Sequence, residues 1–291
     1  MYYLSTPYTQ MQSHYDVIVI GSGYGASIAA SRLARAGRKV CVLERGREFQ
    51  PGDYPDSLLS AAKEMQVNYP VGDSAKELGC ETGLFDFRMN DDMNVFQGCG
   101  LGGTSLVNAN VSLRPDKRVY AKIEWPKEIR DDIDTRLEDG FKAAIDMLKP
   151  VEYPEQHKQL DKISAMQKCA SDTGKQCTKV PINVSFYDGE NHVGVEQTAC
   201  NNCGDCISGC NVGAKNTLIM NYLPDAVNHG AEIFTKVEVQ YVEKDGDQWQ
   251  VYYQIKDAGR GLFDAAVQFV AADIVWLGAG SLGSTEILLR S

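Results

Sequence analysis

The chain has 291 residues, 43% hydrophobic and 23% charged, which suits a globular protein of about two domains and excludes a disordered tail or a fibre. With 29 Lys and Arg against 39 Asp and Glu, the net charge is −10 and no basic block interrupts it, which disfavours nucleic acid and anionic membrane as partners. Asp273 breaks the longest apolar candidate, Val267 to Leu277, so no run reaches the ~20 residues of a membrane span. The stretch before Asp16 lacks the Lys or Arg of a secretory signal. The nine cysteines are too sparse for a disulfide scaffold and read as thiols of a reducing, cytoplasmic compartment.

In chain order, Tyr15 to Ile20 is a short apolar run that predicts a buried parallel strand. It meets Gly21-Ser22-Gly23-Tyr24-Gly25-Ala26, and a helical pattern follows through Ile28, Ala29, Leu33 and Ala36, stopped by Gly37. Lys39 to Leu43 is a second strand, ending at Glu44, so the start reads as a βαβ unit. From Ile129 to Leu148 the apolar residues fall on one helical stripe ended by Pro150, and a second stripe runs from Leu160 to Ala170. A helix is expected over Thr217 to Val227. A hairpin is expected from Val237–Val242 and Gln248–Ile255 about the turn Asp245-Gly246-Asp247. Ile274 to Leu277 reads as another buried strand, and Gly278-Ala279-Gly280 leads into a helix from Leu282 to Leu289. The chain then stops at Ser291 as though cut.

Three groups of residues carry chemistry. In Gly21-x-Gly23-x-x-Ala26 the first Gly permits a tight turn and the second admits a pyrophosphate to the backbone. The small third residue lets the helix pack on the strand, and Glu44 is placed to accept ribose hydroxyls. NAD and FAD share this fingerprint. A second cluster, Gly98-Cys99-Gly100-Leu101-Gly102-Gly103-Thr104-Ser105, allows backbone to pass close to a flat or phosphorylated ligand and leads to Asn108. The third is Cys200-x₂-Cys203-x₂-Cys206-x₃-Cys210, the spacing of bacterial iron–sulfur ligands. Asn211 stands where ferredoxins carry Pro, and a structural zinc or a set of packed or disulfide-bonded thiols are the alternatives.

Gly98 to Asn108 with Asn110, the start at Gly21, and the later Gly280-Ser281-Leu282-Gly283-Ser284-Thr285-Glu286 resemble the glucose–methanol–choline oxidoreductase family. Gly103 to Asn108 and Lys117-Arg118-x-Tyr120 most resemble its cholesterol-oxidase-like branch, over the amino-terminal half of the family fold. The resemblance implies FAD and the oxidation of an alcohol, sterol-like or otherwise hydrophobic, by hydride transfer to flavin. It assigns cofactor contacts to the Gly21–Ala26 turn (Gly21, Gly23, Tyr24, Gly25 and Ala26) and to Glu44. It adds Gly98, Gly102, Gly103, Thr104, Ser105 and Asn108, with Val237 at the adenine and Ala279 and Gly280 beside the adenosine. Thr285 replaces a family proline, and no His in the Gly98–Asn108 loop offers a covalent flavin link. The family's catalytic base is expected beyond Ser291; His14, His157, His192 and His229 match none of its motifs, and the catalytic residues are unassigned.

The expected fold is therefore α/β, a doubly wound, Rossmann-like FAD-binding domain with an inserted, mostly helical part of a substrate domain. The expected divisions are a tail at 1–12, the FAD domain at 13–118 and 196–291, and the insertion at 119–195. An oxidase acting on oxygen is one expectation. The alternatives are a dehydrogenase relaying electrons through Cys200, Cys203, Cys206 and Cys210 to an acceptor protein, or an inactive cofactor-binding fragment.

Overall fold

A computed structural model describes residues 2–71, 74–258 and 265–291. The elements in order are β1 (His14–Ile20), α1 (Tyr24–Arg35), β2 (Val40–Leu43), α2 (Leu58–Lys63), β3 (Met65–Val71), β4 (Ser74–Gly79), β5 (Phe85–Arg88) and β6 (Val95–Gly98). The helices α3 (Lys117–Tyr120), α4 (Lys127–Asp131), α5 (Arg136–Leu148) and α6 (Asp161–Asp172) follow. The strands β7 (Gly189–Glu190) and β8 (Glu196–Gln197) precede α7 (Tyr222–Asn228) and β9 (Glu232–Phe234). The chain closes with β10 (Val237–Asp245), β11 (Gln248–Ile255), β12 (Gln268–Leu277) and α8 (Gly280–Arg290).

The main sheet has the order β10-β11-β12-β1-β2-β9. Its strands β12, β1, β2 and β9 run parallel, whereas β10 and β11 are antiparallel additions. Valine and isoleucine fill both faces, as a sheet covered on both sides requires. On one face Val17, Val19, Val40 and Val42 pack against the alanines of α1 (Ala26, Ala30 and Ala34) and against Leu223 and Ala226 of α7. Small side chains let α1 approach the sheet closely. On the other face Ile18, Ile20 and Leu43 pack with Val239, Val251 and Tyr253 of the hairpin and Ile287 of α8. A buried carboxylate joins the two helices, because Asp225 of α7 accepts from Ser31 Oγ (2.5 Å) and from Arg35 Nε (2.8 Å) and Nη2 (2.6 Å) of α1.

A second sheet, β4-β3-β5-β6, has its core in Phe49, Tyr54, Leu84 and Phe85 with Leu106 and Val107. Alternation in 65–98 is too irregular to have announced it. The helices α3 to α6 contribute no fully buried residue.

The βαβ start and the hairpin occur as expected, with Gly37 (φ 77°) after α1 and Gly246 (φ 60°) in the hairpin turn. Three elements differ. The stripe over 129–148 is two helices, because the Asp-rich link closes a turn in which Asp132 accepts from the N–H and hydroxyl of Thr135. The expected helix from Thr217 is a 3-10 turn (Leu218–Met220) followed by α7, whose Asn221 side chain caps the Tyr222 N–H at 2.8 Å. The strand at Ile274 to Leu277 is not buried throughout. β11 pairs with β12 only as far as Ala272, leaving Ile274 and Trp276 52% and 47% exposed beside β1.

Candidate functional site

The carboxyl ends of β1, β2 and β12 converge on the two glycine clusters, and a cleft opens between them. Its lining includes Gly21, Gly23, Glu44, Gly98, Gly103 and Thr104, together with Val237, Ala279 and Gly280. An adjoining opening shares Gly23, Thr104, Gly278 and Gly280 and adds Tyr24, Gly25 and Thr285, so the combined groove is elongated. Most of the expected cofactor residues therefore meet in one place, although they span more than 250 positions of sequence.

The turn geometry explains the residue types. Gly21 has φ 91°, and a methyl group there would lie 2.7 Å from the Gly278 carbonyl oxygen. Ala26 packs against Gly278, where a Cβ would come within 2.6 Å of its own, so nothing larger than Ala fits between α1 and β12. Gly23 faces open space with nothing within 4 Å, and it caps α1 with an extended backbone. The N-termini of α1 and α8 both border the groove, and their free N–H groups and dipoles favour an anion such as a pyrophosphate.

Glu44 is buried at 7% exposure and lines the cleft. Its Oε2 accepts from Ser22 Oγ (2.5 Å) and its Oε1 from the Gly46 N–H (2.7 Å). Burial raises its carboxyl above the usual glutamate value, and the hydrogen bonds from Ser22 and Gly46 only partly offset this. Ser22 Oγ also accepts from the Gly102 N–H at 2.9 Å, so one hydroxyl ties Glu44 to the second glycine cluster. The loop after Glu44 also touches the second cluster, since a Cβ on Gly46 would fall 2.2 Å from the Gly100 nitrogen.

Gly102, Ser105 and Asn108 stand behind the lining. Ser105 Oγ donates to the Gly102 carbonyl (2.7 Å) and accepts from Leu218 N–H (3.2 Å). Asn108 Nδ2 donates to Tyr24 Oη at 2.8 Å, fixing the phenol that borders the groove. Val237 lines the cleft, but its N–H already donates to the Glu44 carbonyl at 2.9 Å.

Arg45, Arg88 and Glu286 also border the cleft, and Asp86 lies behind them. Asp86, fully buried, is bonded by Arg45 (2.8 Å), Gln97 (2.8 Å) and Arg88 (3.3 Å), and Arg88 pairs in turn with Glu286 of α8. Burial alone would raise the Asp86 carboxyl; the Arg45 and Arg88 charges and the Gln97 hydrogen bond outweigh it and hold it low. No motif marked Arg45, Asp86, Arg88 or Gln97, because they come together from the end of β2 and from β5 and β6 only after folding.

The cysteine segment lies outside the cleft. Its four thiols are free, Cys203 is exposed and the others are half-buried. Burial raises the thiols of Cys200 and Cys206. Among the described residues no three His, Cys, Asp or Glu are grouped to hold a metal ion, so the iron–sulfur expectation has no structural support. Asn211 has a different role: its side chain accepts from the Gly52 and Tyr54 N–H groups and donates to the Tyr54 carbonyl. None of the four histidines lines the cleft. Among the described residues no helix is long and apolar enough to cross a membrane.

This architecture, a parallel sheet with two glycine loops and a buried carboxylate at its carboxyl end, is that of a dinucleotide-binding domain. The family model for GMC oxidoreductase matches residues 15–291, and the chain belongs to that family. It is 30% identical over 296 residues to a cholesterol oxidase of Mycobacterium tuberculosis, covering 96% of this chain and 48% of that protein. A cholesterol oxidase of Acinetobacter baumannii is 26% identical, with 95% and 50% covered. The long-chain-alcohol oxidase FAO3 of Arabidopsis thaliana is 28% identical over 251 residues, 84% of this chain and 29% of that protein. The chain thus spans about half the length of the cholesterol oxidases it matches. Membership implies FAD, and the groove fits it: glycine backbone open to a pyrophosphate, helix N-termini beside it, and a buried carboxylate at the end of β2.

Proposed function

We propose that the chain is the FAD-binding part of a flavin-dependent alcohol oxidoreductase that acts on a hydrophobic alcohol, sterol-like or long-chain. The observation that carries this reading is the elongated groove, in which both glycine clusters, Glu44 and the N-termini of α1 and α8 meet. Bound FAD supplies the hydride acceptor. The protein's share is to hold and orient it. The α1 and α8 N-termini receive the pyrophosphate, Glu44 accepts from the ribose, and the Tyr24–Asn108 pair stiffens the wall of the adjoining opening. The hydroxyl proton of the alcohol needs a base, and we assign it to no histidine of this chain. Residues 119–195 we read as part of the substrate-binding side. The substrate class rests on the similarity to a cholesterol oxidase and a long-chain-alcohol oxidase.

The test is to purify the protein and record its absorption spectrum, then assay oxidation of a sterol and of a long-chain alcohol with oxygen and with an artificial acceptor. Flavin bands with turnover of either alcohol support the reading, and the better acceptor separates oxidase from dehydrogenase. Retention of NAD in place of FAD refutes it.

A further inference from the structure

Lys215 lies five residues after the last cysteine of the segment, yet it is 1% exposed. Its backbone is fixed: it forms a β-bridge with Val184, while Ala214 and Asn216 bond to Ser185 and Asn183. From this frame its Nζ donates to three main-chain carbonyls, those of Leu106 (2.8 Å), Asn108 (2.9 Å) and Cys206 (2.8 Å). An ammonium has three N–H donors, and all three are used. No carboxylate is among its hydrogen-bond partners, which are three carbonyl dipoles, with the thiols of Cys206 and Cys210 nearby. Burial pulls the ammonium down to about 8.

The three carbonyls come from two loops. Leu106 ends the 3-10 turn of the second glycine cluster, and Asn108 anchors Tyr24 at the groove. Cys206 opens the 3-10 turn of the cysteine segment. The two turns touch, and the Asn110 side chain, two residues beyond Asn108, lies against the Cys206 thiol. Displacing the Cys206 turn strips one bond from Lys215 and loosens its hold on Leu106 and Asn108. Ordering Leu106 to Asn108 does the reverse.

We infer that Lys215 is a positioning residue that links the FAD groove to the cysteine segment, so that FAD binding and exposure of Cys206 oppose each other. The inference rests on the FAD reading given above. Binding free energies that share one structural element are reciprocal: FAD must protect Cys206 by the factor by which opening the Cys206 turn weakens FAD. Exposed Cys203, which contributes nothing to the Lys215 bonds, is an internal reference.

The experiment measures alkylation of the full chain by N-ethylmaleimide, residue by residue by mass spectrometry, with and without saturating FAD, after FAD binding has been measured separately. FAD is expected to slow Cys206 by about fivefold or more relative to Cys203, the lower end of typical coupling. Lys215→Met, which keeps the side chain's bulk and removes its donors, is expected to bring that ratio to one. Equal effects of FAD on Cys206 and Cys203, or protection that survives in Lys215→Met, overturn the inference and leave the FAD reading intact. A chain that binds no FAD overturns both. If Lys215→Met shows no cooperative unfolding transition, Lys215→Gln, whose uncharged amide keeps two N–H donors in place of three, replaces it: the FAD protection of Cys206 is then expected to shrink, and protection equal to that of the unaltered chain overturns the inference.

Discussion

Replacing Glu44 by Gln changes one carboxylate oxygen into an amide and removes the charge, with little change in shape. In the wild-type chain each oxygen accepts one internal hydrogen bond, from Ser22 and from Gly46, and the carboxylate still borders the cleft. The lost interaction is a ribose hydroxyl bonded to a buried anion, worth about 1.5–3 kcal/mol. At about 1.4 kcal/mol per decade, FAD should dissociate roughly 10- to 150-fold more readily. The assay is a titration of flavin-free protein with FAD, followed by flavin fluorescence. Fold is checked separately by urea unfolding without FAD, where the sign is opposite. Burial raises the Glu44 carboxyl, so its contribution to stability is complete below the usual glutamate value and is lost as pH rises through the raised one. The Gln variant escapes that loss, and its urea midpoint should gain on wild type as pH rises through this window. An FAD affinity within about twofold of wild type, in a variant that unfolds cooperatively, would refute the assignment of Glu44 to the ribose.

Gly21→Ala places a methyl group 2.7 Å from the Gly278 carbonyl at a φ of 91°. Left-handed strain and overpacking together should cost about 2–5 kcal/mol, read as a drop in the urea midpoint. Tyr24→Phe removes the acceptor of the Asn108 amide and should weaken FAD binding by about 0.5–1.5 kcal/mol without moving the unfolding transition by more than that, measured by the same titration. Burial opposes the Asp225 charge, but the hydrogen bonds from Arg35 and Ser31 prevail and its carboxyl sits below the usual aspartate value. That stability is present above the ordinary value and is lost as pH falls through the lowered one. Asp225→Asn should therefore be less stable than wild type near neutrality, with the gap closing in acid, as a urea series across pH would record.

Local patterns were legible in the sequence where a single stretch of chain decides the outcome. Tyr15 to Glu44 announced strand, turn, helix and strand, because the glycine turn, the alanine stripe and Gly37 act within a few residues of one another. The β10–β11 hairpin was legible for the same reason, through alternation and a Gly-centred turn. The sheet of β3 to β6 was not. Its strand β3 pairs in parallel with β5 and antiparallel with β4, and the sheet buries Asp86, a residue that sequence patterning places outside. At the site, the motif glycines and Glu44 were readable, whereas Ser22, Arg45, Arg88 and Glu286 acquire their partners across sheets. Lys215 carried the weakest signal of all, a lone basic residue in a stretch that reads as surface. The cysteine spacing gave the opposite lesson, since a metal-like interval did not bring three ligands together.

The segment before β1 is fastened to the open edge of the main sheet. The amides of Leu4 and Ser5 donate to the two oxygens of buried Glu48 at 2.8 Å, and Ser5 and Thr6 run alongside Ile233 of β9. An uncovered outer strand offers its unpaired amides and carbonyls to any passing chain, and that is a common route to self-association. Here three residues of the leading segment act as a cover strip for β9, held by a carboxylate that belongs to the loop after β2. Resistance to edge-to-edge aggregation is thus delegated to a single acidic side chain about 185 positions away in sequence from the strand it shields.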